Sequence, residues 1–359
     1  MQVQFQKKSL RLYSIDIFRC CCAFAVFLFH ARIHLNVNFG ILNNFIGDSH
    51  IFMTAFFMLS GFSLYYSQNM ICGGDSNFFI KRIVSIFPLY IAIWFLWSVF
   101  EFIKGNFLPA WKHLVIAPVE FLMLQSIYDG SFGILHNGGT WFISCIFICY
   151  LIYPYLESII KKNKKKTNIA LLILFYLIIS YSYVPVYIFK FGDIYANPFF
   201  RLLEFAEGII LAWLFLQNKD KNISKRTNLL IPFFIFALIA VISFGVHFGF
   251  GYVLLYNFLA VPVFGFILYF CGRLEMRYKI CRFQKIISLL SECSYAFFLA
   301  QFFCFDITKY LARHTLFFQK GGNSKLFFCS FFFCCIISIF LHFLIEKPIK
   351  KFLTKKLYF

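Results

Sequence analysis

The sequence predicts an all-α fold: a polytopic membrane helical bundle of ten transmembrane helices with both termini in the cytosol. Three observations carry that prediction. Hydrophobic residues make up 61% of the 359-residue chain, against about 45–50% in soluble domains. The mean hydropathy is +0.77. Apolar runs recur at a spacing of roughly 20 residues, the length that crosses the hydrocarbon of a bilayer as a helix. The whole of 1–359 reads as one membrane domain with no room for a separate soluble one.

The apolar segments fall near 14–34, 49–67, 83–103, 114–127, 139–160, 168–189, 197–216, 228–248, 251–271, 286–308 and 326–345. The first follows Lys7, Lys8 and Arg11, and the third follows Lys81 and Arg82. Segment 114–127 is short and contains Pro118 and Glu120. Loop charge decides whether it spans. If it does not, the cytosolic segments hold 24 Lys and Arg and the outer segments seven. If it does, 19 of those cations move outside, against the preference of Lys and Arg for the cytosolic face. We therefore expect ten spans, with 114–127 as a re-entrant or interfacial segment on the outer side. No soluble domain is expected after the tenth span.

The net charge of +19 does not point to nucleic acid, because nearly all the cations sit in short connectors between apolar runs. The 13 Cys lie mostly within apolar stretches and show no metal-ligand spacing, so no metal is expected.

Ionisable residues inside the spans are the candidates for chemistry. Asp16, Arg19 and His30 all fall in the first span, where an Arg or Asp at the bilayer centre costs roughly 2.5–3.5 kcal/mol. At about 100° per residue, Arg19 and His30 are offset by ~20° and lie ~16 Å apart along the axis. Asp16 falls one turn before Arg19 on the same side. One helix face thus carries an acid, a cation and a titratable base. The plainer readings are a helix–helix hydrogen bond for His30 and an ion pair for Arg19 and Asp16. The seventh apolar segment, 197–216, carries Arg201, Glu204 and Glu207, spaced to pair along one side and suggesting a polar cavity or a structural network.

Several stretches occur in the order of one known family. Asp16-x-x-Arg19 followed by His30 opens it; Phe56-Phe-Met-Leu-Ser-Gly-Phe62 follows, then Phe79-Ile-Lys-Arg-Ile-Val-Ser-Ile-Phe-Pro-Leu-Tyr90. Trp141, Tyr150 and Pro154 come next, then Arg201-Leu-Leu-Glu-Phe and Gly208, Ser294-Tyr-Ala-Phe-Phe-Leu and Glu346-Lys-Pro348. Over essentially its whole length the chain resembles the membrane acyltransferase-3 family.

That resemblance implies a bacterial inner-membrane enzyme with acetyl-CoA as acyl donor and no metal. The acetyl group would pass to a hydroxyl of a surface polysaccharide or a lipid-linked sugar. It implies His30 as general base or acyl relay, for which an unperturbed pKa near ~6.5 is suited. Arg19 would bind a CoA phosphate or the thioester arm, with Asp16 positioning the guanidinium. Lys81 and Arg82 would meet CoA phosphates at the cytosolic mouth, or else serve only as topology signals. Ser60, beside Gly61, would bond a ligand or a neighbouring helix. Trp141 would stack on a sugar ring or sit in the interfacial aromatic belt, and Arg201 and Glu204 would line the acceptor cavity.

Two positions depart from the pattern. Ser85 stands where an Arg is common, and Gln301 where many members have His; Gln retains hydrogen-bonding capacity but does not titrate. A transporter or flippase for lipid-linked saccharides is the alternative from another class, although neither inverted repeats nor matched broken helices are visible. Succinyl-CoA or another acyl-CoA is the alternative donor.

Overall fold

The structure is a computed structural model and describes residues 11–70, 77–105, 112–127, 135, 137–182, 184, 195–218, 252–277, 283–315 and 322–357. The expected span near 228–248 lies outside these residues. Among those described, the long helices are α1 (Tyr13–Leu35), α2 (Phe52–Met70), α3 (Phe78–Ile103), α4 (Trp141–Lys162), α5 (Lys165–Ser180), α6 (Pro198–Gln217), α7 (Tyr252–Arg277), α8 (Gln284–His314) and α9 (Gly322–Leu341). A π turn at His342–Glu346 leads α9 into α10 (Lys347–Leu357). There is no strand among the described residues.

Seven of these helices are long and apolar enough to cross a membrane: α1, α2, α3, α4, α7, α8 and α9. α5 runs for only 16 residues, and α6 carries Arg201, Glu204 and Glu207 within its 20. Segment 114–127 forms no membrane-length helix. It makes a π turn at Lys112–Ile116, a short helix at Ala117–Phe121 and a reversal at Met123, whose φ is 56°.

Local chemistry sets the helix ends. Asn197 accepts from the Phe199 amide at 2.9 Å and Pro198 opens α6, a preorganised start. The first amides of α1 are capped from another helix: Tyr13 and Ser14 each donate to the Glu275 carboxylate at 2.7 Å. A carboxylate there also opposes the positive end of the helix dipole. α1 ends at Asn36 in the left-handed region, with φ 51°.

Paired contacts fix the direction of each helix. α1 runs parallel to α8: Arg19 bonds Ser291 near one end, and the His34 ring lies against Phe305 near the other. α3 follows the same sense, with Tyr295 donating to the Ile86 carbonyl and Trp97 to Asp306. α2 is opposed to α1, since Ser63 meets Arg19, and His50 just before α2 meets Phe29. α4 and α6 run with α2, through Asn69–Glu157 and Thr54–Glu204. One end of the bundle therefore collects Asp16, Arg19, Arg82 and Ser291, and the other His30, Trp141 and Arg201.

The tightest joint is between α2 and α6. A Cβ at Gly61 would lie 2.0 Å from the Phe205 carbonyl oxygen, and one at Gly208 would lie 1.9 Å from that of Met58. Only glycine permits this backbone approach.

Candidate active site

The two ends of the bundle each hold a cavity. The first, of about 410 Å³, opens among Arg11, Arg82, Glu292, Glu346 and Lys350 and runs inward past Arg19. Ser60, Ser63, Ser67, Ser85, Ser291 and Ser294 line it, and its apolar lining includes Phe56, Phe142 and Phe298. The second, of about 550 Å³, is lined by His30, His50, Met53, Gly138, Trp141, Tyr195, Phe298 and Phe302, among others.

Asp16 and Arg19 belong to a network at the first cavity. Arg19 donates to Asp16 at 3.1 Å, Ser291 at 2.9 Å and Ser63 at 3.1 Å. Ser291 in turn donates to Asp16 at 2.6 Å. Arg11 supplies a second cation to Asp16 at 2.5 Å and reaches Glu292 at 2.6 Å. Asp16 is thus held between two guanidinium groups, which offset the cost of burying its charge. Glu346 accepts from His342 at 2.9 Å and from Lys350, so the mouth presents charges of both signs.

Lys81 and Arg82 separate. Arg82 lines the first cavity, its guanidinium over the Phe78 and Tyr150 rings and its Nε without a hydrogen-bond partner among the described residues. Lys81 is not among the lining residues, since consecutive helical residues point about 100° apart. Ser60 lines the first cavity and Trp141 the second.

His30 sits in the second cavity, its ring 4.6 Å from Phe302, 5.1 Å from Phe29 and 5.9 Å from His34. Along α1, Arg19 lines the first cavity with Asp16 held behind it, while the axial length of the helix puts His30 in the second. Such a histidine beside open space can take a proton from a bound hydroxyl.

Arg201 and Glu204 do not line the second cavity as expected; they form a buried pair behind its Trp141 and Tyr195. Arg201 donates to Glu204 at 2.8 Å, to Thr54 at 3.1 Å and to the Tyr195 carbonyl at 2.7 Å. Its guanidinium also lies over Phe57, Trp141 and Tyr195. Glu207 lies apart, in an apolar cavity between α5, α6 and α7, with no hydrogen-bond partner for either oxygen among the described residues. Gln301 is fully buried, and neither amide atom finds a partner there either.

Sequence reasoning named Ser60 but missed the rest of the serine lining as a set, along with Arg11, His50 and Phe298. Part was within reach: Ser60, Ser63 and Ser67 recur at one-face helical spacing, and His34 follows His30 by one turn. No signal in the chain links Arg11 to Glu292.

No curated protein and no solved structure matches the chain. The model of the acyltransferase domain of the acyltransferase-3 family matches residues 12–347. With apolar helices of membrane-crossing length and this match over most of its sequence, the chain belongs to the acyltransferase-3 family and is a membrane acyltransferase.

Proposed function

We propose that this enzyme moves an acetyl group from cytosolic acetyl-CoA to a hydroxyl of a surface polysaccharide or lipid-linked sugar, with His30 as general base or acyl relay. On this reading the chain forms one domain of ten spans in a bacterial inner membrane, both termini cytosolic. Segment 114–127 then lies at the outer face. Support for that placement comes from its bonds: Glu120 accepts from Trp94 at 3.0 Å, and Gln125 donates to the Thr140 carbonyl at 2.9 Å, next to Trp141.

One observation carries the mechanism: a cationic, serine-lined cavity and a histidine-bearing cavity occupy opposite ends of one bundle and share Phe298. Arg82, Arg11 and Lys350 suit the phosphates of CoA, for which guanidinium groups are strong partners. The serines suit the amides of its pantetheine arm. The arm would carry the thioester inward past Arg19, while the sugar hydroxyl meets it from the His30 side. The hydroxyl oxygen bonds to the acyl carbon, the carbon–sulfur bond breaks, and the hydroxyl proton passes through His30 to the CoA sulfur. Whole CoA never crosses the membrane.

The test compares surface glycan from cells carrying the wild-type chain, a deletion and His30→Ala, by proton NMR of the purified polymer. O-acetyl signals are expected in the first alone, with His30→Ala protein at normal level. Acetylation that persists in His30→Ala removes that residue from the chemistry. Turnover in sealed vesicles given acetyl-CoA only at the outer face overturns the cross-membrane route.

A further inference from the structure

Among the described residues, Phe298 is the one that lines both cavities. Its ring centroid lies 5.1 Å from that of Phe142 and 6.1 Å from that of Phe56, and those two are themselves 6.1 Å apart. All three pairs are tilted or edge-on, the packing that aromatic rings prefer. The three rings come from α2, α4 and α8, so each is anchored by a different helix. Phe142 is braced further by Phe57 at 5.0 Å and Trp141 at 6.3 Å. Phe298 borders both cavities, whereas Phe56 and Phe142 border only the first.

We infer that Phe298, backed by Phe56 and Phe142, sets the length of the acyl group transferred, passing acetyl and turning back butyryl and longer chains. This rests on the reading of the first cavity as the donor side and the second as the acceptor side. The first cavity has Arg11, Glu292, Glu346 and Lys350 toward the end that holds Asp16, Phe56, Phe142 and Phe298 toward the His30 end, and serines along its length. A CoA thioester laid along it brings its only apolar end, the acyl group, against the three rings. Transfer to a hydroxyl beside His30 requires the acyl carbon to meet the oxygen at Phe298. Rotation of one ring opens a gap of one ring's width while its two neighbours stay fixed, and every added methylene must fit within it. In a packed apolar site one methylene changes selectivity by about 10- to 200-fold.

The experiment uses membranes of the native host, which supply the acceptor, carrying the wild-type chain, His30→Ala, Phe298→Ala, Phe298→Leu or Phe56→Leu. Radiolabelled acetyl-, propionyl-, butyryl- and hexanoyl-CoA are added in turn, and label in the glycan fraction is counted. Wild type is expected to incorporate acetyl far above butyryl. Phe298→Ala is expected to raise the butyryl-to-acetyl ratio by about 10-fold or more, with a smaller rise in the two leucine variants. A ratio unchanged in Phe298→Ala while acetyl incorporation persists overturns the inference and leaves the transferase reading standing. Absence of His30-dependent acetyl incorporation in wild type overturns both. If Phe298→Ala fails to accumulate, binding to purified wild type decides: S-hexyl-CoA is expected to bind about 10-fold or more weaker than S-ethyl-CoA, and equal affinities overturn the inference.

Discussion

Nη1 of Arg201 lies 2.8 Å from both carboxylate oxygens of Glu204, one turn along α6, and the two side chains are only 6% and 3% exposed. Removing one partner of such a pair leaves an uncompensated buried charge, which costs about 3–5 kcal/mol. Arg201→Met and Glu204→Leu are each expected to lower detergent-solubilised stability by that order. The double variant is expected to recover most of the loss, since neither charge then remains. Thermal unfolding of the four proteins measures the coupling; additive losses would show that the two residues act independently.

The α2–α6 joint makes a second prediction. Gly61→Ala and Gly208→Ala place a methyl group against a backbone carbonyl, which has no flexible side chain to yield. Each is expected to cost about 1–3 kcal/mol through forced backbone shifts. Gly40→Ala, with nothing within 4 Å of its Cβ but a φ of +60°, separates packing loss from backbone strain. Equal, small effects at Gly61 and Gly208 would mean that the helices move apart freely.

Arg82 and Lys81 adjoin in sequence and part in space. Arg82→Gln is expected to raise the KM for acetyl-CoA by about 10-fold or more, the worth of a charged hydrogen bond, with a smaller change in kcat. Lys81→Gln is expected to change KM by less than about threefold. Initial-rate kinetics over acetyl-CoA concentration settle the contrast, and equal effects would place both cations on the donor.

Glu207 is 1% exposed and neither oxygen finds a partner among the described residues. An unsatisfied buried polar group costs about 1–3 kcal/mol. Glu207→Leu is therefore expected to raise the melting temperature by about 2 °C or more. A fall would mean that the carboxyl makes a stabilising interaction.

Among the described residues, the seven helices of membrane-crossing length were legible because a long apolar run announces itself. The boundaries moved where a polar residue extends a helix beyond its apolar stretch: α8 runs on to His314, past the expected end at 308. The face shared by Arg19 and His30 was legible from helical geometry alone. The division of that face between two cavities was not, because cavities arise from what the other helices leave unfilled. Arg82 and Lys81 read alike as a basic pair until the orientation of α3 separates them. The Arg11–Glu292 contact joins residues 281 positions apart, and no local pattern encodes such a distance.

The pairing of Thr54 with Glu204 spans 150 residues, and that separation has a consequence for biosynthesis. At about 5–20 residues per second, roughly 7–30 s pass between synthesis of α2 and arrival of α6. Throughout that interval α2 waits with its Gly61 surface and its Thr54 hydroxyl unmet. Early transmembrane segments must therefore be sheltered by lipid or by the insertion machinery until α6 emerges. A ribosome stalled before Pro198 would leave a chain carrying His30 and Arg19 but unable to close the bundle around them.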